Sequence, residues 1–249
     1  MEGKQEIPQK DSDIMTVSDL EPVLPRIGNL MCSAQIGGQF PIVSEGSASL
    51  WVVNWTWGKN LILTNYHILT PELDSCDVWF DDIGIYRVNI KRIPSWAFNN
   101  IVDFAFLRIE SIAPGLEGAA LPISSLSPTI YPSHCPSKMS LGSPIAVIGF
   151  PITAASQVDI PGGEPGRMSN KTVTTGTISS HDTNPTINGY PDVNYFVSAK
   201  IDKGNSGGLA FSKYNGEICL LGIPTWVERG YFENMGIIQS IHNIWNPNP

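Results

Sequence analysis

Residues 193–211 read VNYFVSAKIDKGNSGGLAF, two apolar segments joined by a turn rich in glycine and asparagine. Aromatic and β-branched residues recur in Val193–Ile201, and a second apolar run follows in Gly207–Phe211. Such side chains favour the pleated backbone of a strand, whereas glycine and asparagine tolerate the backbone angles of a tight turn. The stretch therefore predicts two β-strands and a turn that carries Ser206.

The same pattern recurs from about residue 30 to the end of the chain. Short apolar runs alternate with Gly, Pro, Asn and Asp, which predicts an all-β fold. The first set of predicted strands comprises Ser47–Trp55, Asn60–Tyr66, Cys76–Phe80, Ile85–Ile93 and Val102–Ile109. The second set comprises Ile145–Phe150, Lys171–Ser180, Val193–Ile201, Gly207–Phe211, Ile218–Thr225 and Met235–Ile241. Two similar sets joined by a Pro/Ser-rich stretch indicate two barrels.

The predicted organisation has four parts. Residues 1–29 form an arm that is either flexible or extended and packed on the body, 30–120 the N-terminal barrel, 121–144 a linker, and 145–249 the C-terminal barrel. A short helix is expected near Ser240–Trp245, and glycine and proline predict loops at Ala154–Asn170 and Asp182–Pro191.

Composition narrows the function classes. The 249 residues carry a net charge of −8, which disfavours nucleic acid or an anionic membrane as partner. The polar N-terminus lacks the apolar core of a signal peptide, and no run reaches membrane-spanning length, which favours an intracellular protein. The four cysteines lack metal-ligand spacing; three disulfide pairings remain open, and so do free thiols.

Three segments carry candidate chemistry. The turn Gly204–Gly208 can project the Ser206 hydroxyl as a nucleophile, or it can be a plain hairpin turn. His67 ends an apolar strand, where an imidazole can face a cleft or serve a structural role. Asp103 begins another apolar strand, where it can orient a histidine or cap a turn. Their chain order His, Asp, Ser is that of the chymotrypsin class, and it indicates a catalytic triad between the barrels.

Several segments resemble a known family. They are Gly46–Ala48, Leu63–His67, Asp103–Arg108, Val147–Pro151, Thr172–Ser179 and Gly204–Gly208. Together they resemble trypsin-like serine peptidases of the high-temperature-requirement (Deg) type, over about residues 46–241. The resemblance implies two six-stranded antiparallel barrels of the chymotrypsin type, with the site in the crevice between them. The family's PDZ domain is expected to be missing, because the chain ends soon after the last predicted strand.

The resemblance also implies roles for single residues. Backbone N–H groups of Gly204 and Ser206 would form the oxyanion hole. Asn205 stands where the digestive enzymes have an aspartate, so their activation switch is not expected. The specificity pocket would be lined by Lys200, Asp202, Lys203, Gly222, Ile223, Pro224 and Thr225. Lys200 in the pocket would favour an acidic substrate residue; paired with Asp202, it would favour small or apolar residues; either side chain can instead face solvent.

The expected function is therefore a serine endopeptidase that cuts protein or peptide substrates through an acyl-enzyme, with Ser206, His67 and Asp103 as its triad. No cofactor or metal is required by this chemistry. The competing interpretation is a catalytically idle trypsin-like module that uses the cleft to bind peptides or a partner protein. The oligomeric state is left open by the sequence.

Overall fold

A computed structural model gives the architecture of the chain. It describes residues 14–39, 42–51, 60–69, 72–91, 98–99, 103–115, 117–126, 131–152, 155–158, 166–182, 194–227 and 235–244. Several predicted segments lie partly outside these residues: the arm, the strand Ser47–Trp55, the linker and both loops. Trp245 also lies outside them. Within the described part, no helix has the length and apolar character needed to cross a membrane.

The N-terminal barrel contains six strands in the closed order β3-β2-β1-β4-β5-β7, with β7 pairing back to β3. Their bounds are β1 Ile27–Ser33, β2 Ile42–Trp51, β3 Leu61–Thr64, β4 Ser75–Phe80, β5 Gly84–Asn89 and β7 Phe104–Ile112. The short strand β6, Phe98–Asn99, adds to the edge of β7. In β4 and β5 buried and partly exposed residues alternate, as expected where one face lines a barrel interior.

The C-terminal barrel is also closed and six-stranded, in the order β11-β12-β15-β14-β13-β8. Its strands are β8 Pro144–Gly149, β11 Thr172–Asp182, β12 Asn194–Val197, β13 Leu209–Tyr214, β14 Glu217–Val227 and β15 Gly236–Ser240. A short helix, α2, spans Ile241–Ile244. The predicted all-β fold with two six-stranded antiparallel barrels is therefore confirmed. A plain hairpin around Ser206 is not: β12 pairs with β11 and β15, whereas β13 pairs with β14 and β8.

Two segments differ from the prediction. Part of the expected flexible or extended arm is folded: α1 covers Val17–Leu20, a 3₁₀ turn covers Leu24–Arg26, and β1 begins at Ile27. The burial of Leu20 explains why this segment packs on the barrels. The expected loop Ala154–Asn170 contains an antiparallel pair, β9 Ala155–Val158 and β10 Gly166–Ser169.

Strands buried on both faces position the ends of the first barrel near the second. Alternate residues of β3 and β7 point into the barrel interior, as Ile62 does, or into a core shared with the other barrel, as Leu63 and Phe106 do. Strands β8 and β13 contribute Ile148 and Phe211 to the same shared core. Residues that follow β3 or precede β7 are thereby held beside the crevice between the barrels.

The cysteines form two disulfides, Cys32–Cys76 and Cys135–Cys219. Cys32 and Cys76 are direct partners in the register of β1 and β4. Strand register thus explains the first pairing, whereas Cys135 lies outside the strands and is held beside Cys219 by its N–H, which donates to the Leu220 carbonyl at 2.9 Å.

Candidate active site

His67 and Asp103 meet because their strands are neighbours. His67 lies in a 3₁₀ turn, Tyr66–Ile68, just after β3, and Asp103 immediately precedes β7. The register of the two strands pairs Thr64 with Ala105, so the two side chains emerge at the same end of the barrel.

The Asp103 carboxylate accepts two hydrogen bonds from His67. Oδ2 lies 2.7 Å from the imidazole Nδ1, and Oδ1 accepts from the backbone N–H of His67 at 2.8 Å. An ionised carboxylate only accepts hydrogen bonds, so the ring proton belongs on Nδ1 and Nε2 keeps its lone pair. The Asp103 side chain is 5% exposed and that of His67 is 48% exposed. The carboxylate is thus shielded, while the ring reaches the cleft.

Ser206 lies in the turn Gly204–Gly208 that precedes β13. Gly204 and Gly207 have positive φ angles of 98° and 85°, which glycine adopts without strain. A Cβ atom on Gly207 would overlap the backbone oxygen of Ser47 and the hydroxyl of Thr64. The turn can therefore approach the first barrel only because this residue is glycine.

The hydroxyl of Ser206 donates to the backbone oxygen of Thr225, on β14, at 3.4 Å. Among the hydrogen bonds of the described residues, none joins Ser206 Oγ to His67 Nε2. Both residues line one cleft between the barrels, with a volume of about 360 Å³. The cleft is lined by Ile42, Ser44, Glu45, His67, Ile68, Ile152, Lys203, Gly204 and Ser206. The first five belong to the N-terminal barrel and the other four to the C-terminal half.

The turn also carries the backbone N–H groups predicted to form the oxyanion hole. The Lys203 carbonyl, just before Gly204, accepts from Ile152 N–H at 2.9 Å. Within the described part of the chain, no backbone carbonyl accepts from the N–H groups of Gly204 or Ser206. The predicted oxyanion-hole residues are therefore together in one turn.

Ser47 on β2 ties the turn to the first barrel, a contact that the sequence analysis did not predict. Its N–H donates to the Ser206 carbonyl and its hydroxyl to the Gly204 carbonyl, both at 2.7 Å. The same hydroxyl accepts from Phe150 N–H at 2.8 Å. The only signal in the sequence was a serine in a predicted strand, next to Gly46; the structure shows that this serine is fully buried.

The residues predicted to line the specificity pocket divide into two groups. Lys200 forms an ion pair with Asp202, with Nζ 3.1 Å from Oδ2, and Lys203 lines the cleft. On β14 the side chain of Ile223 is fully buried in the shared core.

Of the remaining β14 positions, Gly222 lies against the backbone oxygen of Gln239. The Pro224 carbonyl accepts from Gly207 N–H at 3.3 Å. Thr225 is the member of this strand whose backbone reaches the Ser206 hydroxyl. No group of three or more His, Cys, Asp or Glu side chains among the described residues could hold a metal ion.

Comparison with protein families decides the membership of the chain. Residues 46–223, more than half of the chain, match the model of the trypsin-like peptidase domain. The chain belongs to this family. The matched range of the trypsin-like peptidase domain includes His67, Asp103 and Ser206, and leaves out α1 and β1.

A solved structure supports the fold of this trypsin-like peptidase. The structure described as "HtrA-type protease AlgWS227A with tripeptide" matches with a TM-score of 0.64 and 18% sequence identity. The match covers 94% of this chain and 62% of that protein, so the chain spans less than two thirds of its length. A comparison with curated proteins finds no match. The resemblance inferred from the sequence motifs is confirmed at the level of family and fold.

Proposed function

We propose that this trypsin-like peptidase is a serine endopeptidase with Ser206 as nucleophile, His67 as general base and Asp103 as the group that orients the imidazole. The observation that carries the proposal is the pair of hydrogen bonds from His67 to the Asp103 carboxylate. They select the tautomer whose Nε2 can accept a proton, on a ring that lines the cleft with Ser206.

The chemistry proceeds through an acyl-enzyme. His67 Nε2 takes the Ser206 hydroxyl proton while Oγ attacks the carbonyl carbon of the scissile bond. The N–H groups of Gly204 and Ser206 stabilise the oxyanion of the tetrahedral intermediate. The imidazolium then protonates the leaving amine as the C–N bond breaks, and water hydrolyses the ester by the reverse sequence. Asp103 stays ionised and stabilises the imidazolium.

One conformational step must precede attack. The Ser206 hydroxyl donates to the Thr225 carbonyl in this structure, so it has to exchange this acceptor for His67 Nε2. Catalytic hydrogen bonds often form fully only when substrate is bound.

The same hydrogen bond favours a second candidate function, in which the domain binds peptides without cutting them. In that case Ser206 would stay bonded to Thr225, and the cleft would serve as a peptide-binding groove.

A fluorophosphonate probe distinguishes the two functions, because it labels only a serine that its base activates. We expect one adduct by intact mass, located at Ser206, and no adduct with Ser206→Ala. The control is Ser198→Ala, which removes an exposed serine of the same barrel and should be labelled as wild type. Folded wild-type protein that remains unlabelled would support the peptide-binding function instead.

The charges near the predicted pocket bear on the preference for the residue before the scissile bond. Lys200 pairs with Asp202, its side chain is 74% exposed, and neither residue lines the cleft, so we propose that small or apolar residues are preferred at this position. Profiling of a peptide library tests this, and a strong preference for acidic residues would overturn it and point to a cationic side chain at the cleft, such as Lys203.

A further inference from the structure

Asn65 connects the two barrels next to Asp103 of the candidate triad. It lies between β3 and the turn that carries His67, and its side chain is fully buried. Its Nδ2 donates to the Asp103 backbone oxygen at 2.6 Å and to the Thr225 hydroxyl at 3.1 Å. One side-chain amide therefore joins the aspartate of the first barrel to β14 of the second barrel.

The chemistry of the partners fixes the orientation of this amide. A backbone carbonyl only accepts hydrogen bonds, so the NH₂ group of Asn65 must face Asp103, and both of its hydrogens are used. The opposite atom, Oδ1, is buried and has no hydrogen-bond partner among the described residues. Burial of an unpaired oxygen is unfavourable, so the arrangement is best explained by what the two donated bonds achieve.

The backbone of Asp103 is held from outside. Its φ angle is 52°, in the left-handed region that is uncommon for residues other than glycine, although Asp and Asn adopt it more often than most. Its carboxylate is held by His67 and its carbonyl by Asn65. The two ends of this residue are thus fixed separately, and only the carbonyl contact involves an amide that also reaches the second barrel.

The other end of the bridge contacts the nucleophile's neighbour. Thr225 accepts from Asn65 through its hydroxyl and from Ser206 Oγ through its backbone carbonyl. The path from Asp103 through Asn65 and Thr225 to Ser206 therefore consists of three hydrogen bonds, and it spans both barrels.

We propose that Asn65 is a positioning residue of the triad. It holds Asp103 in its left-handed conformation, so that the carboxylate meets His67, and it sets the spacing between Asp103 and the strand that faces Ser206. The proposal rests on the proposed function for its kinetic consequence, but the hydrogen bonds themselves exist in the resting protein.

The first test compares Asn65→Leu, which keeps similar volume and removes both donors, with Asn243→Leu. Asn243 is a buried asparagine of α2 whose Nδ2 donates to Asn194 Oδ1 at 3.3 Å, so it controls for the loss of a buried amide. Because small misplacements of catalytic groups cost up to ~10²-fold in rate, we expect Asn65→Leu to slow fluorophosphonate labelling and kcat by about 10–100-fold. KM should change less than about twofold, and Asn243→Leu should lose stability without this loss of rate.

A second pair of variants covers the case in which Asn65→Leu does not fold. Thr225→Val removes the hydroxyl that Asn65 contacts, whereas Thr225→Ser keeps it. We expect Thr225→Ser to be labelled several-fold faster than Thr225→Val. Equal labelling rates in this pair, or a folded Asn65→Leu protein that is labelled as fast as Asn243→Leu, would overturn the proposal.

A spectroscopic readout separates this proposal from the proposed function. An imidazole N–H that is hydrogen-bonded to a carboxylate has a proton resonance far downfield, which NMR can record in unreacted protein. The His67 Nδ1 proton should move upfield or be lost in Asn65→Leu and persist in Asn243→Leu. If wild-type protein were never labelled, the proposed function would fail, whereas this resonance would still confirm or contradict the role of Asn65.

Discussion

The two barrels hold their parts of the candidate site by different means. In the N-terminal barrel, side-chain hydrogen bonds position the site residues: the Asp103 carboxylate contacts His67, and the Asn65 amide contacts Asp103. In the C-terminal barrel, backbone conformation positions Ser206, which lies in a turn where Gly204 and Gly207 have positive φ angles.

This difference indicates which changes affect which step. Substitution of the Asp103 carboxylate in the first barrel should alter proton transfer and leave the fold intact. Changes around the turn of the second barrel should displace the oxyanion donors and the nucleophile together, and they should also cost stability. Variants of matched residues can test each half of this comparison.

The largest effect is expected from Asp103→Asn. The asparagine amide can donate to Nδ1, which would move the ring proton to Nε2 and leave no base beside Ser206. We expect kcat to fall by on the order of 10⁴-fold, with little change in the thermal midpoint. The measurement is the turnover of a cleaved peptide together with the rate of probe labelling.

Asp77→Asn is the matched control, because Asp77 is a carboxylate of the same barrel that pairs with Arg87 instead. It should react with the probe as wild type does. If the Asp103→Asn protein kept more than a tenth of the wild-type rate, orientation of His67 by the Asp103 carboxylate would not be what makes the first barrel's part of the site work.

A smaller effect, on both rate and stability, is expected from Ser47→Ala. The substitution removes the bond to the Gly204 carbonyl and leaves Phe150 N–H without its acceptor. Loss of a partner for a buried polar group costs ~1–3 kcal/mol, and we expect the free energy of unfolding to fall accordingly. A shifted turn should slow probe labelling by roughly tenfold.

Ser49→Ala separates the two consequences of the Ser47 change. Ser49 lies two residues further along β2, is equally buried, and accepts from the Trp51 indole at 2.8 Å. Its loss should lower stability without slowing the labelling of Ser206. If both alanine variants slowed labelling equally, the turn would depend on general stability and not on the contact with Ser47.

The sequence predicts the residues of the chemistry better than the residues that position them. His67, Asp103 and Ser206 stand in recognisable local segments, and apolar periodicity predicts most strands around them. Ser47 and Asn65 make their decisive contacts with residues 157 and 160 positions away in the sequence. Such contacts depend on how the barrels meet, which local pattern does not encode.

Strand β1 shows the same limit at the level of the fold. Its residues Ile27–Ser33 include Gly28 and Asn29 and lack a clear alternation of apolar and polar side chains. It is a strand because it pairs on both sides, with β2 and with β4, and that register also brings Cys32 opposite Cys76. The sequence analysis assigned residues 27–29 to the arm and predicted no strand over residues 30–33, because both partners of β1 lie further along the chain.

The smallest expected effect is a loss of stability from changes in α1, the short helix that precedes the barrels and contacts both of them. Leu20 is buried in the shared core, and Asp19 forms an ion pair with Lys213 of β13 at 2.9 Å. Hydrogen bonds from the side chain and backbone of Thr16, followed by one from Lys213, lower the pKa of Asp19 from 3.8 to about 2. Ionised Asp19 therefore stabilises the folded state above about pH 4, and this contribution is lost as the pH falls toward 2.

We expect Asp19→Asn to lower the free energy of unfolding by less than ~1 kcal/mol at neutral pH, because the pair is partly exposed and screened. Denaturant titrations of both proteins should converge as the pH is lowered from about 4 to about 2. Glu21→Gln, at an exposed carboxylate of the same segment, serves as the control. Labelling of Ser206 should not change in either variant. A slower reaction in Asp19→Asn alone would mean that this segment also positions the site. The two barrels would then not position the site by themselves.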